Sequence, residues 1–280
     1  MRFQREVTAA VLIPAVLAVL VFAPTWAFSL LVAAAACVAL LEFYALLATA
    51  GWHVPRAAGF ALFFGLLLAA HLGDLRALVV LGAAVLVVLP TLVMFGKPPV
   101  GVLLTSSAGA VFATLYVAAG GASIIGLRSI GWEPVLFLFA VVWAGDPAAY
   151  YAGRRWGKRK LAPTVSPKKT WEGLWGQIVA GLAVGALTGV LLAGRSRPLP
   201  GSAGDVPGWA IALFALLGIL ISVVAVLGDL VESTFKRSVA VKDSGGLLPG
   251  HGGLLDRLDS LLYASPVLLL VLAFAPGALS

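Results

Sequence analysis

Residues 209–233 read WAIALFALLGILISVVAVLGDLVES, and the first 20 of them carry no charge. A helix needs about 20 predominantly apolar residues to cross the hydrocarbon core of a bilayer. The whole chain has this character, since 61% of its 280 residues are apolar and only 11% are charged, against about 25% charged residues in soluble domains. With a mean hydropathy of +1.05, this composition excludes a soluble enzyme, a secreted disulfide scaffold and a disordered tail, and it predicts a polytopic membrane protein.

Nine such apolar segments follow one another along the chain, separated by charged residues or by proline and glycine. They lack the polar alternation of a barrel strand, so the predicted fold class is all-α. We expect an integral membrane protein with about nine transmembrane helices, within a range of roughly eight to ten. The predicted segments are residues 7–23, 26–49, 57–73, 75–95, 103–127, 134–153, 172–193, 209–233 and 254–276.

The basic residues are unevenly divided between the two sides of a nine-span arrangement. Of the 19 Lys and Arg residues, one side receives only Arg76, Arg128, Arg195 and Arg197. Because Lys and Arg in short loops are retained in the cytoplasm, the richer side is predicted to be cytoplasmic. The N-terminus then lies in the cytoplasm, and the number of spans is odd.

Carboxylates near the ends of the predicted spans are the first candidates for chemistry. A charge inside hydrocarbon costs about 3 kcal/mol by insertion measurements and needs a reason. Asp146 lies near the end of the sixth span, and Asp229 and Glu232 share one helical face at the end of the eighth. Asp256 and Asp259 have the same spacing at the start of the ninth. Either these acids pair with nearby Lys or Arg and lock helix packing, or they hold a divalent cation such as Mg²⁺.

A glycine-rich segment leads into the ninth span. Residues 244–253 read SGGLLPGHGG, and backbone N–H groups of such a loop at a helix start can bind phosphate. By itself it is equally an ordinary connection between helices. However, Lys236, Arg237 and Lys242 precede it and two acids follow, which is a combination typical of phosphoryl and nucleotidyl transfer. His251 is either held by its own backbone contacts or acts as a phosphate donor or proton shuttle.

A second basic segment, residues 154–169, contains seven Lys and Arg residues and no acid. Its simpler interpretation is topology determination and attraction to anionic lipid headgroups. The segment ends in the sequence SPKKTWEG, in which Thr170 or Ser166 could cap the seventh helix while Lys168 and Lys169 reach an anionic ligand. No nucleic-acid partner is expected.

The chain reads STFKR at 233–237, KDSG at 242–245 and LPGHGGLLDRLD at 248–259. This pattern resembles the C-terminal motif of phosphatidate cytidylyltransferases, also called CDP-diacylglycerol synthases. The sequence SPKKTWEG is similar to a second motif of that family. A third motif is matched by Asp146, Ala149, Tyr150, Gly153 and Arg154, and together the three cover about the C-terminal half of the chain.

The resemblance implies that CTP and phosphatidate are converted to CDP-diacylglycerol and pyrophosphate, in the inner (cytoplasmic) membrane and from its cytoplasmic side. It also implies a homodimer and Mg²⁺ held by Asp229 and Asp256, with K⁺ as a candidate second cation. The residues that it assigns to catalysis are Asp229, Asp256, Lys236, Lys242, Asp243 and His251. Those assigned to substrate binding are Asp146, Ser166, Lys168, Lys169, Thr170, Glu172, Ser233, Arg237, Gly252, Gly253, Arg257 and Asp259.

On this hypothesis, residues 1–130 form a generic transmembrane scaffold, and residues 131–280 form the catalytic region with cytoplasmic loops at 154–170 and 234–253. Two alternatives remain. One is a CTP-dependent polyprenol or phytol kinase, against which the complete C-terminal motif argues. The other is an anion or metabolite transporter that uses its intramembrane acids as a coupling-ion site, against which the concentration of ionisable residues at one face argues.

Overall fold

The computed structural model describes residues 2–193, 209–241, 244–245 and 252–274. Within these ranges the chain forms nine α-helices and one short antiparallel hairpin. The helices are α1 (Arg2–Phe22), α2 (Thr25–Thr49), α3 (Arg56–Leu72), α4 (Leu75–Phe95), α5 (Val100–Ile130), α6 (Trp132–Trp156), α7 (Trp171–Ala193), α8 (Trp209–Ser238) and α9 (Leu255–Ala273). The strands of the hairpin are β1 (Lys160–Ala162) and β2 (Ser166–Thr170).

The predicted all-α fold class is confirmed, and each predicted apolar segment overlaps one helix. Six helices in the described ranges, α2 and α4 to α8, are long and apolar enough to cross a membrane. The described apolar part of α1, Leu12–Phe22, and the whole of α3 are shorter, and three of the first five residues of α9 are charged. The structure therefore supports a membrane protein with several spans, and the count of about nine stays a prediction.

The length of α8 explains where its acids lie. It has 30 residues and is about 45 Å long at a rise of 1.5 Å per residue, whereas the hydrocarbon core is about 30 Å thick. The uncharged part from Trp209 to Gly228 is long enough to cross that core. The remaining part, from Asp229 to Ser238, then extends to the depth of the lipid headgroups.

Two helices of the C-terminal half extend into the ranges predicted as loops. Because α8 continues to Ser238, the loop predicted at 234–253 begins as helix, and because α6 continues to Trp156, so does the loop predicted at 154–170. Helix ends rich in Lys and Arg are favourable, since these cations complement the negative end of the helix dipole. Because charged residues were taken as the start of a loop, the predicted ends of α6 and α8 lie too early in the sequence.

The hairpin was not predicted from the sequence. Lys160 pairs with Thr170 and Ala162 pairs with Ser166, while Pro163 lies in the turn between the strands, where its fixed φ is tolerated. Strands this short and this charged show no apolar alternation, which is the signal that identifies a strand in a sequence.

Helix α9 lies between two apolar cores. Its Leu255 and Leu262 belong to a core built from α2 to α5, and its Leu261 and Leu268 belong to a core built mainly from α1, α6 and α8. Gly120 of α5 allows a close approach, because a Cβ at that position would lie 2.6 Å from the carbonyl oxygen of Leu262. The start of α9 is thereby held from both sides.

Glycines bring α7 close to α8. A Cβ on Gly185 of α7 would collide with the carbonyl of Phe214, and a Cβ on Gly218 of α8 would collide with the carbonyl of Gly181. Such contacts between small residues allow helix backbones to pack closely within a bilayer. Since α7 also packs against α6, the last turns of α6 and α8 and the first turn of α7 meet at one end of the bundle.

Candidate active site

A cavity of about 410 Å³ lies at this end of the bundle, between the hairpin and α6, α7, α8 and α9. This volume is in the range of small-molecule binding sites. Its lining combines the cations of Arg154, Lys168 and Lys169 with the acids Asp146 and Asp229. Residues of the SPKKTWEG motif and of the motif around Asp146 therefore share one cavity with Asp229 of α8.

The hairpin and α8 make a direct ionic contact within the cavity. The Nζ atom of Lys169 lies 2.7 Å from Oδ2 of Asp229, and the two side chains are 23% and 38% exposed. The hydroxyl of Ser233 donates to Oδ1 of the same aspartate at 3.2 Å. The structure thus joins the sequence SPKKTWEG to Asp229 of α8, and Asp229 in turn to Ser233, the first residue of the C-terminal motif.

The hairpin is attached to α7 by two further predicted site residues. Oγ1 of Thr170 accepts a hydrogen bond from the backbone N–H of Gly173 at 3.1 Å, which confirms the predicted cap of the seventh helix. The carboxylate of Glu172 accepts the backbone N–H of Arg159 at 3.3 Å. Both side chains orient the segment that carries Lys168 and Lys169.

Arg237 attaches the hairpin to α8. Its guanidinium donates to the carbonyl of Val165 in the hairpin turn at 3.3 Å and to the carbonyl of Val241 at 3.0 Å. Lys168 is exposed at the cavity, and Ser166 is half-buried at the start of β2. The structure therefore brings the predicted residues of the hairpin and of α8 together.

Three carboxylates from α8 and α9 form a compact group, which we call the acid triad: Asp229, Glu232 and Asp259. Each contributes one oxygen, and these oxygens lie within 4.8 Å of one another. Glu232 and Asp259 are 3% and 6% exposed. Oε1 of Glu232 is buried and has no hydrogen-bond partner among the described residues.

The acid triad has the chemistry of a Mg²⁺ site. Mg²⁺ takes oxygen ligands at about 2.0–2.1 Å, so opposite oxygens of its octahedron are about 4.2 Å apart. Oxygens within 4.8 Å of one another can share one such ion after a shift of about 0.6 Å. Lys236 contacts only Oε2 of Glu232, and the buried Oε1, which has no hydrogen-bond donor among the described residues, would gain a positive partner from the ion. The residues present therefore fit the predicted cofactor.

Asp256 has a different environment from the acid triad. Its Oδ1 accepts from Nζ of Lys236 at 2.5 Å, and its Oδ2 accepts the backbone N–H groups of Gly253 at 2.9 Å and Ser244 at 3.1 Å. Nζ of Lys236 also lies 2.5 Å from Oε2 of Glu232, which links Asp256 to the triad. The structure groups Asp229 with Glu232 and Asp259, and the pairing of Asp229 with Asp256 as metal ligands stays a prediction.

The remaining predicted residues lie around the start of α9. Gly252 has a left-handed φ of +76°, and a Cβ there would lie 2.9 Å from Oδ2 of Asp256, so the position requires glycine. Arg257 is exposed on the first turn of α9. Three predicted catalytic residues lie outside the described residues: Lys242, Asp243 and His251.

Glu42 of α2 was not identified as a site residue from the sequence. This side chain is 4% exposed, and its carboxylate accepts the backbone N–H groups of Leu254 at 3.0 Å and Leu255 at 2.8 Å. It also accepts the hydroxyl of Ser244 at 3.3 Å. A signal was present, because Glu42 is the only charged residue of the predicted segment 26–49, and charges within spans are expensive.

Gln177 of α7 was also missed. It is 3% exposed and lines the cavity, and it makes no hydrogen bond within the part of the chain that the structure describes. Its Cγ lies against Gly145, where an added Cβ would be 2.8 Å away. Its signal in the sequence was a single amide in an otherwise apolar stretch.

Known proteins match the chain as follows. Residues 3–275 match the profile of the family described as Cytidylyltransferase family. The phosphatidate cytidylyltransferase of Brucella suis is 47% identical over 145 residues, which are 52% of this chain and 48% of that protein. That of Haemophilus influenzae is 46% identical over 132 residues, covering 47% and 43%. That of Mycobacterium tuberculosis is 38% identical over 167 residues, covering 60% and 46%. The chain thus spans about half the length of the curated relatives it matches.

Proposed function

We propose that this chain, which belongs to the cytidylyltransferase family, transfers the cytidylyl group of CTP to phosphatidate and forms CDP-diacylglycerol and pyrophosphate. The observation that carries the proposal is the contact between Lys169 and Asp229 inside the cavity. It brings the cationic hairpin, suited to phosphate, to the acid triad, suited to a metal ion. Both are needed where two phosphorylated substrates react.

In this reaction a phosphate oxygen of phosphatidate forms a bond to the α-phosphorus of CTP, and the bond to pyrophosphate breaks. A phosphomonoester has a second pKa of about 6, so the attacking group is largely ionised at neutral pH. No strong general base is required. The main obstacle is the repulsion between two anions, which a site with fixed positive charge reduces.

The cavity supplies that charge through its own side chains. Arg154, Lys168 and Lys169 line it and bind phosphate oxygens by charge-assisted hydrogen bonds. Gln177 lies two turns further along α7 from the hairpin and offers a neutral amide. We assign to it a polar, uncharged part of the lipid substrate, such as an ester of the glycerol.

Mg²⁺, when bound by Asp229, Glu232 and Asp259, would neutralise phosphate charge and polarise the reacting phosphoryl group. Lys236 holds Glu232 in place from one side, and Asp256 holds Lys236 from the other. The pair Asp229 and Asp256 is the alternative ligand set, with K⁺ as a candidate second cation. Metal titration of variants, described in the Discussion, distinguishes the two ligand sets.

We further propose nine spans, a homodimer and a location in the bacterial inner membrane, with the N-terminus and the cavity on the cytoplasmic side. The uneven distribution of Lys and Arg supports this orientation. If the uncharged part of α8 spans the hydrocarbon core, its acids lie at the depth of the headgroups, where CTP can enter from water. The acyl chains of phosphatidate remain in the bilayer.

The test uses the purified full chain in liposomes that contain phosphatidate, with Mg²⁺ and CTP labelled at the α-phosphate. We expect the label in CDP-diacylglycerol. The variant Lys169→Met should raise the KM for CTP about tenfold, because one phosphate contact contributes about 1.4 kcal/mol. Lys158→Met is the matched control, since Lys158 is exposed next to the hairpin and does not line the cavity.

Other outcomes would contradict the proposal. Transfer of label from the γ-phosphate of CTP to a polyprenol would identify a kinase. A wild-type protein that takes up anions into liposomes and forms no CDP-diacylglycerol would identify a transporter. Equal effects of the two lysine substitutions would exclude the cavity as the CTP site.

A further inference from the structure

The start of α9 is not capped by its own sequence. The first N–H groups of a helix have no partner within the helix and need an acceptor from elsewhere. The residue before α9 is Leu254, whose side chain cannot cap it, although Ser, Thr, Asp and Asn are favoured at that position. The acceptor is Glu42, which lies on α2 and is separated from Leu254 by 212 residues.

Two described glycines of the glycine-rich segment lie against this carboxylate. A Cβ on Gly245 would lie 2.6 Å from Oε1 of Glu42, and a Cβ on Gly253 would lie 2.5 Å from Oε2. Neither glycine has a left-handed φ, so the requirement at these positions is space rather than backbone freedom. Two glycines of the C-terminal motif therefore admit a side chain from the N-terminal half of the chain.

Glu42 and Asp256 hold the same segment. Glu42 accepts the hydroxyl of Ser244 and the N–H groups of Leu254 and Leu255, while Asp256 accepts the N–H groups of Ser244 and Gly253. The two carboxylates together bind the segment that begins α9. Because α9 carries Asp259 of the acid triad one turn later, the register of this helix sets where that acid lies.

We propose that Glu42 is a positioning residue of the active site: through the first turn of α9 it places Asp256 and Asp259 relative to α8. This role rests on the proposed cytidylyl transfer. It makes α2 part of the catalytic assembly, although the sequence analysis assigned residues 1–130 to a generic scaffold. Glu42 itself does not line the cavity, so it acts through α9.

The test compares Glu42→Gln with the wild type. An amide has one acceptor oxygen and presents an N–H group to a second N–H, so one of the bonds to Leu254 and Leu255 is lost. We expect kcat to fall at least tenfold and the Mg²⁺ concentration for half-maximal rate to rise at least threefold. We also expect hydrogen exchange of the full chain in detergent to accelerate at least tenfold in the peptide covering 252–258.

Tyr44→Phe is the matched control. Tyr44 lies on the same helix two residues after Glu42, is fully buried and hydrogen-bonds to Oγ1 of Thr114 at 2.6 Å. Its substitution should lower the melting temperature and leave kcat, the Mg²⁺ requirement and exchange at 252–258 unchanged. Tyr44→Phe thereby shows the effect of losing a buried hydrogen bond in α2 without a change at the start of α9.

The outcomes are decisive in both directions. Unchanged exchange at 252–258 in Glu42→Gln would overturn the proposal, whatever happens to activity. Equal changes in Glu42→Gln and Tyr44→Phe would also overturn it and leave Glu42 a general stabiliser. The exchange measurement needs no substrate, so a wild type that makes no CDP-diacylglycerol would refute the proposed function and still allow the contact of Glu42 to be judged.

Discussion

Two sets of carboxylates at one end of the bundle are bonded in opposite ways. Glu42 and Asp256 each accept hydrogen bonds from three donors of the protein. In the acid triad, Lys169 and Ser233 contact Asp229 and Lys236 contacts Oε2 of Glu232, but Oε1 of Glu232 has no hydrogen-bond partner among the described residues, and the hydrogen bond to Asp259 comes from its neighbour Ser260 at 2.6 Å. A buried acid with its donors in place stabilises the chain by itself, whereas three clustered acids contacted by two lysines, one of which is shared with Asp256, retain negative charge that a bound cation would neutralise.

The largest effect that this difference predicts is that of Asp259→Asn on activity. Removing one acid of the triad should lower CDP-diacylglycerol formation about a thousandfold, because a group that stabilises transition-state charge contributes about 4 kcal/mol. Without Mg²⁺ the melting temperature should not fall, since the substitution removes a negative charge beside Asp229 and Glu232. Initial rates and thermal melts in EDTA measure both. A clearly lower melting temperature of Asp259→Asn in EDTA would contradict the distinction between the acid triad and the hydrogen-bonded acids Glu42 and Asp256.

Asp256→Asn, one turn earlier on the same helix, should lower stability as well as activity. The amide is a weaker partner for Lys236, and one of the donors that now meet the carboxylate loses its acceptor. Losses of this kind cost about 1–3 kcal/mol. We expect a lower melting temperature with or without Mg²⁺, measured beside Asp259→Asn. A variant that is inactive and fully stable would instead make Asp256 a direct participant in the chemistry.

Mg²⁺ binding is expected to have a smaller effect, on the melting temperature, and this effect distinguishes Asp259 from Asp256. At a Mg²⁺ concentration ten times its Kd, the folded state gains about 1.4 kcal/mol, so Mg²⁺ should raise the melting temperature of the wild type and EDTA should reverse this. The rise should disappear in Asp259→Asn and persist in Asp256→Asn. The reverse pattern would establish Asp229 and Asp256 as the metal ligands and remove Asp259 from the set.

The smallest expected effect concerns the hairpin. Thr170→Val removes the cap of α7 and should lower the free energy of unfolding by about 1 kcal/mol. Thr188→Val is the control on the same helix, because its hydroxyl only bonds back to the carbonyl of Val184 and should have little effect on stability. Thermal melts of the two variants measure the difference, and equal melting temperatures would exclude a capping role for Thr170.

The parts of the fold that depend on local composition were predictable. Long uncharged runs such as Trp209–Gly228 predict helices, because a lipid environment supplies no partner for an open backbone N–H or C=O. The cap by Thr170 was predictable for a similar reason, since its partner lies three residues away. The hairpin was not, because its strands of three and five residues are too short to show a period.

The candidate site was likewise predictable only in those features that depend on local sequence. The sequence by itself determined that acids, cations and glycines collect in the C-terminal half, since their order along the chain is enough to show it. Only the tertiary structure decided which acids share a cavity and which are bonded into the backbone. Glu42 meets its partners across more than 200 residues of chain. Contacts at that separation depend on how α2 and α5 pack against the first turn of α9. No local pattern of residues encodes them.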